Sequence, residues 1–395
     1  MIFGTNWMLV VFAGKLENWP DSMKRSFGKD LTCVLLLVFL TACEKEADTI
    51  NGSYFAPLEL DDWEVSTPED QDLDTIIIKE MYLTASKIGH IYSILIIKDG
   101  YLIAERYFNG KNVNTALPIA SVTKSFTSTL TGIALENGKL TSLDQKLSEF
   151  FPEFDWESMD PRKSQITLAQ ILKMRSGYPW EEFSEYNDLL WSSFGDWLPL
   201  IEEIPLTHDP GAEYGYSNLM AHILGIIVSR AVDTSLYDFA NQHLCEPLEI
   251  SIPVWWTDHH GNYYGHGDIH ANARDLARFG YLYLNEGTYN GHEIISSGWI
   301  DDALSPYSMD VYGREIFDNF SGLNLGYMNW FSARSGRHNV YFSWGHGGQH
   351  IFLLPEYNMI IVTTADYMPG KDSETDWNKQ KSITEMVGKY ISRLP

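Results

Sequence analysis

The chain has 395 residues, 44% of them hydrophobic and 21% charged, with 30 glycines and 16 prolines. That is ordinary globular composition, enough for one large domain or two closely packed ones. A formal net charge of −25 argues against nucleic acid as a partner and against electrostatic attraction to an anionic lipid surface.

Near the N-terminus a basic stretch, Met23-Lys-Arg25 with Lys29, precedes the apolar run from Leu31 to Leu40 and then Thr41-Ala-Cys43. A basic start, about ten apolar residues and small residues before a cut describe a secretory signal. The run is short for a bilayer span. Leu40-Thr-Ala-Cys43 resembles the lipobox of bacterial lipoproteins, which implies that Cys43 becomes a lipid-modified first residue. The expected signal region is 1–42, with Met23 as the expected start. The expected location is the bacterial cell envelope, on a membrane and facing the periplasm or the surface. Two or more acyl chains on Cys43 would anchor the protein stably. Cys33 then leaves with the signal, and Cys245 is the one thiol left in the mature chain, so no internal disulfide can form. Cys245 reads as a buried helix residue rather than a nucleophile.

From Glu44 to Asp72, ten acidic residues face one basic residue, Lys45. With little periodicity, this reads as a solvated tether over 43–80, leading to a domain over 81–395. Tyr92–Ile97, Lys98-Asp-Gly100 and Tyr101–Tyr107 read as a β-hairpin. Gln349–Leu354 and Met359–Thr364 flank Pro355-Glu-Tyr-Asn358 as a second one. Ile383, Met386, Val387, Tyr390, Ile391 and Leu394 mark an amphipathic terminal helix. Between the hairpins, helices are expected over 121–137, 168–174, 217–232, 236–243 and 273–285. The expected fold class is α/β (α+β), with an antiparallel sheet built from both termini and flanked by helices. Its sheet part covers about 81–120 and 335–395, and a mostly helical region is inserted over about 121–334. No G-x-G-x-x-G follows a strand, and no G-x-x-x-x-G-K-[ST] occurs.

Ser121-Val-Thr-Lys124 carries the chemistry. Pro118 just upstream has no N–H to donate and belongs outside a helix. Val122, Phe126, Leu130 and Ile133 form one apolar helical stripe downstream. Ser121 and Lys124 then share a helical face in its first turn. There the free N–H groups and the helix dipole favour negative charge. A buried lysine loses its charge readily and serves as a base. The plainer alternative is a capping serine beside a solvated lysine.

A serine nucleophile needs a base, an oxyanion hole and a route for protonating the leaving group. No serine has glycine at both positions that G-x-S-x-G requires, which excludes the α/β-hydrolase solution. Two other segments supply parts. Pro210-Gly-Ala-Glu-Tyr-Gly-Tyr216-Ser217-Asn218 is a glycine-rich turn opening an apolar helix. Ser343-Trp-Gly-His346-Gly347-Gly348-Gln349 leads into a strand, and its glycines admit close backbone approach to a ligand.

Ser121-Val-Thr-Lys124, Tyr216-Ser-Asn218 and His346-Gly-Gly348, in that order, resemble the three motifs of the serine β-lactamase-like superfamily. The branch is that of class C β-lactamases, D,D-peptidases, D-aminopeptidases, family VIII esterases and 6-aminohexanoate-oligomer hydrolases. Ile166–Gly177, Pro210–Asn218, Ala273–Leu284 and Gly347–Pro355 resemble connecting stretches, so the likeness runs from about residue 85 to the end. It implies a β-lactamase/transpeptidase-like fold and acylation of Ser121. Lys124 and Tyr216 would share the base work, each with its proton affinity lowered by the other or by burial. The backbone N–H groups of Ser121 and Gln349 would form the oxyanion hole. Asn218 would orient Lys124 or the substrate amide, with His346 and Gly348 beside the substrate. Neither a cofactor nor a metal is needed.

Lactamases usually carry K-T-G at the third motif, where the cation steadies a substrate carboxylate. His346-Gly347 stands there instead, and histidine is only partly charged near neutrality. The expected reaction is therefore hydrolysis of a small ester or amide through an acyl-enzyme. The alternatives are a D,D-peptidase or D-aminopeptidase on cell-wall peptides, and a non-hydrolytic penicillin-receptor-like binding protein. His259, His260, His266 and His270 lie in one aromatic, glycine-rich loop. Their spacing fits no zinc pattern, and the loop is expected to line the site. Trp180, Trp191, Trp197, Trp255 and Trp256 are expected in loops, one or two of them touching substrate.

Overall fold

The computed structural model describes residues 55–192, 196–312, 317–368 and 370–395. The signal region, Cys43 and the start of the expected tether lie outside them. Seven strands form one antiparallel sheet: β1 (Ile91–Lys98), β2 (Tyr101–Tyr107), β3 (Ser321–Leu325), β4 (Trp330–Ser335), β5 (His338–Gly345), β6 (Gln349–Leu354) and β7 (Met359–Ala365). Their order is β2-β1-β7-β6-β5-β4-β3. The β1–β7 pairing, with Ile94 opposite Thr363, joins the two ends of the domain into one sheet as expected. The first hairpin turns at Asp99 (φ +53°) and Gly100 (φ +85°), the left-handed pair whose twist suits a two-residue connection.

The strands read as continuous apolar runs rather than alternating ones because helices cover both faces of the sheet. Successive side chains alternate between these faces. Ile361 and Ile96 share an apolar layer with Ile77 and Met81 of helix α1 (Thr75–Ala85) and Tyr390 and Ile391 of helix α5 (Ser373–Ile391). Ile360 and Ile351 face helix α4 (Ala273–Leu284), where a Cβ on Gly280 would stand 2.6 Å from the Ile351 side chain. The other two long helices are α2 (Val122–Glu136) and α3 (Asn218–Val232), which pack against each other. Cys245 is buried and free, and burial pushes its thiol up to about 12.

Two boundaries differ from expectation. The inserted region ends earlier than residue 334, because β3 and β4 extend the sheet from Ser321 onward. β4 buries Trp330, Phe331, Ala333 and Ser335, and a strand of only six residues that is interrupted by serines gives little periodic signal. The acidic segment is also not all tether. Phe55 and Glu64 accept hydrogen bonds from the N–H groups of Glu105 and Leu102 on β2, and Ser66 donates to Leu102. Buried Arg274 binds Asp62, the Leu58 carbonyl and Glu105. Helix α1 starts at Thr75, capped by the Asp74 carboxylate on the Ile76 N–H at 2.8 Å. A guanidinium distant in sequence neutralises charge that local composition presents as solvated.

Candidate active site

Ser121 sits where an extended segment turns abruptly into α2. Leu117-Pro118 pairs with His270-Ala271, and the Ile119 N–H donates to the Ile269 carbonyl at 2.9 Å. Ala120 then adopts φ +47°, a left-handed conformation that costs a non-glycine residue about 1 kcal/mol or more. The end of β5 abuts this turn, since a Cβ on Gly345 would stand 2.3 Å from the Ile119 carbonyl. One turn into α2, the Ser125 and Ser343 hydroxyls meet at 2.8 Å. Ser121 occupies the N-cap position, yet its side chain caps nothing. Its Oγ instead accepts a hydrogen bond from Lys124 Nζ at 2.9 Å. The capping-serine alternative therefore does not describe this residue.

Lys124 is fully buried. Its second hydrogen bond goes to the His266 carbonyl at 2.8 Å, and Nζ lies 4.8 Å from the centre of the Tyr216 ring. Burial pulls its amine down to about 7, against the opposing attraction of Glu182, Glu181 and Asp268. Burial thus shifts this lysine strongly toward its neutral form.

Tyr216 is buried, and its phenol lies near enough to the Ser121 hydroxyl for that group to act on its titration. Burial, then the charge of Glu182, push that phenol well above its ordinary value. This departs from the expectation that both partners would be made easier to deprotonate. The burial that neutralises a cation also disfavours a phenolate, so the site holds a neutral amine and a neutral phenol around one hydroxyl.

Asn218 opens α3, and its side-chain amide donates to Glu182 at 3.2 Å. The two hydrogen bonds of Lys124 go to Ser121 and His266, so orientation of the lysine falls to a carbonyl rather than to Asn218. His346 is half-exposed, and its Nε2 lies 2.5 Å from Asp376 near the start of α5. Gly347 (φ +84°) and Gly348 (φ +105°) form the tight turn between β5 and β6, and a Cβ on Gly348 would stand 2.7 Å from Ile383. The side chain of Gln349 is locked onto Ala365 of β7, donating to its carbonyl at 2.8 Å and accepting from its N–H at 3.1 Å. Its backbone is the part left for a ligand.

The histidine-rich loop divides its members. His260 Nε2 meets Asp196 at 3.1 Å, and His270 belongs to the short strand beside Pro118. His266 supplies the lysine's carbonyl while its ring packs 4.3 Å from that of Trp197. Behind it, buried His222 bonds Asp258 at 3.3 Å, and the Gly265 N–H donates to His222 Nδ1 at 3.4 Å. Of the five tryptophans, Trp180 lies within 5.9 Å of the Tyr216 ring, whereas Trp256 is 61% exposed.

Three neighbours escape sequence reasoning: Glu181, Glu182 and the His266 carbonyl. The two glutamates follow Trp180 in a single 3-10 turn, Glu181–Phe183, too short to give a periodic signal. A backbone acceptor leaves no residue signature at all.

A sequence profile of the family described as Beta-lactamase matches residues 92–385. A 6-aminohexanoate-dimer hydrolase of Paenarthrobacter ureafaciens is 24% identical over 312 residues, covering 76% of this chain and 79% of that protein. Beta-lactamase-like protein 2 of Dictyostelium discoideum is 23% identical over 263 residues, 58% of this chain. This chain spans less than half, 46%, of that relative's length. Among solved structures, EstCE1, described as a hydrolase with promiscuous acyltransferase activity, aligns with a TM-score of 0.61 at 14% identity, covering 78% of this chain and 98% of that one.

Proposed function

This chain belongs to the beta-lactamase family, and from that membership we propose that it is a serine hydrolase which is acylated on Ser121 and hydrolyses a small ester or amide. The observation that carries the proposal is the 2.9 Å contact between Ser121 Oγ and the amine of a fully buried lysine pulled down to about 7. An amine that donates to the hydroxyl when charged accepts its proton when neutral. As Oγ attacks the carbonyl, Lys124 takes that proton. The negative charge on the carbonyl oxygen is received by the N–H groups of Ser121 and Gln349, each donor being worth about 3 kcal/mol. The neutral Tyr216 phenol protonates the leaving group and is reprotonated by Lys124. Water then releases the acyl group by the reverse route.

The third motif favours an ester or linear amide over a lactam. Asp376 already engages His346, so the imidazole is poorly placed to pair with a substrate carboxylate. The names of two similar proteins, a 6-aminohexanoate-dimer hydrolase and a hydrolase with promiscuous acyltransferase activity, are compatible with that substrate range. A panel of nitrophenyl esters, D-alanyl peptides, aminohexanoate amides and nitrocefin tests it. The kcat/KM for the best ester or linear amide is expected to exceed that for nitrocefin by roughly 30-fold or more, the usual effect of a missing charge partner. Preference for nitrocefin would defeat this reading, and a stable adduct without turnover would favour a binding protein.

We propose also that Cys43 carries the lipid that holds the enzyme on a membrane. Cys43→Ser is expected to move the protein into the soluble envelope fraction. Continued retention on membranes would count against lipidation.

A further inference from the structure

Glu181 is fully buried, and nothing in the reaction outlined above uses it. A carboxyl group in such a place is costly unless its oxygens are satisfied. One oxygen accepts the Ser217 hydroxyl at 2.5 Å and the other accepts the Asn218 N–H at 3.0 Å. The Ser217 Oγ in turn accepts the Met220 N–H at 3.0 Å, so the serine caps α3 while its proton is given to Glu181. Both partners directly follow Tyr216. The carboxyl also stands at the positive end of a 15-residue helix, where negative charge is favoured.

The two backbone segments that meet here leave little room. The Gly215 N–H donates to the Met174 carbonyl at 2.9 Å, and a Cβ on Gly215 would stand 2.7 Å from the Tyr178 carbonyl. Tyr178 is itself pinned through its hydroxyl to the Ile201 carbonyl at 2.6 Å. The segment carrying Glu181 is thus a fixed wall, and Glu181, together with Glu182 on the Asn218 amide, ties that wall to the turn that presents Tyr216.

We propose that Glu181 is a positioning residue for acylation: it ties the 178–183 segment to Ser217 and Asn218, which holds Tyr216 near Ser121. The inference rests on the Ser121–Lys124–Tyr216 reading and adds a member to it. Burial pushes the Glu181 carboxyl up to about 7, against the hydrogen bonds from Ser217 and Asn218. Burial brings Lys124 down to about 7, and the charges of Glu182 and then Glu181 oppose that fall. The other groups that act on this pair are Glu182 on the same segment, Tyr216 on the turn, and Asp268 and His266 on the loop facing Lys124. An anion at Glu181 stabilises the lysine's charge. Its removal makes Lys124 easier to deprotonate and brings activity in at lower pH.

The test is the pH dependence of ester hydrolysis by Glu181→Gln and Glu181→Asp, with Ser121→Ala alongside. Glu181→Gln is expected to lower kcat about ten-fold or more with KM within about two-fold, as misplacement of a reacting group does. It is also expected to shift the ascending limb of kcat/KM toward acid by about half a pH unit or more. Glu181→Asp keeps the charge but shortens the tie, so kcat falls while the limb stays. If Glu181→Gln does not fold, the aspartate variant still reads the positioning role. A wild-type limb in a folded Glu181→Gln, or wild-type kcat in Glu181→Asp, overturns the inference. Activity retained by Ser121→Ala would overturn the serine reading and this inference together. Ser121-dependent activity with unaltered Glu181 variants overturns this inference alone.

Discussion

Ser121→Ala is expected to abolish covalent labelling by a fluorophosphonate, read by intact mass, and to lower kcat on the best ester by roughly 10⁴-fold or more, the scale on which a serine nucleophile's loss is felt. The reason lies in what the hydroxyl does and does not do. Its Oγ accepts from Lys124 and lies near the Tyr216 phenol, the two groups able to move a proton onto or off it. It contributes no cap to α2, although a serine there would ordinarily be worth about 1 kcal/mol as one. The variant should therefore unfold within a degree or two of wild type while losing its chemistry. Labelling or turnover that survives in a folded Ser121→Ala would end the acyl-enzyme proposal. A large fall in stability would mean that the hydroxyl is structural.

The strained residue beside it makes the same point. Ala120 holds φ +47° without being glycine, and Pro118 and Ile119 bind the preceding segment to the strand at Ile269–Ala271. Such strain is kept where the surroundings over-determine it. Here it turns an extended chain into a helix with the serine facing the lysine rather than its own backbone.

Much of this was legible because it is periodic or local. The Asp99-Gly100 turn, the apolar stripe of α2 and the glycines of the third motif each announce their geometry over a few residues. The three motifs lie on such elements, and the fold brings Ser121, Lys124 and Tyr216 close together. What was not legible depends on partners far apart in sequence. Asp62 reads as tether until Arg274 is seen beside it. Glu181 reads as one more surface acid until Ser217 and Asn218 close on it. Asp376 reads as helix-start polarity until His346 reaches it. The direction of the Tyr216 shift was misjudged for a different reason. Burial acts on charge, so it lowers a lysine and raises a tyrosine in the same cavity.

Lys124→Met is expected to inactivate the enzyme while making it more stable at mildly acidic pH. In the unfolded chain this amine titrates near 10.5, and in the folded protein near 7. Below pH 7 both states are protonated, and folding bears the full cost of burying the cation, on the order of 5 kcal/mol for a shift of that size. Between about pH 7 and 10.5 the unfolded chain binds a proton that the native state does not, so this residue makes stability rise with pH and its penalty fades. Methionine fills nearly the same volume without charge. It leaves the His266 carbonyl and Ser121 Oγ without a donor, which costs about 1–3 kcal/mol. The net gain at pH 6 is then about 2–4 kcal/mol, read as a rise of several degrees in melting temperature that shrinks as pH approaches 10. Activity moves the other way. Wild-type kcat/KM should climb with pH and level off above about 7 as the amine loses its proton. Lys124→Met should fall by about 10³-fold or more and lose that limb. A variant destabilised equally at pH 6 and pH 9 would show that the lysine is held as a structural cation. A flat wild-type profile through pH 7 would remove it as the base. A stability gain coupled to a loss of turnover is the signature of a group that the fold tolerates only for its chemistry.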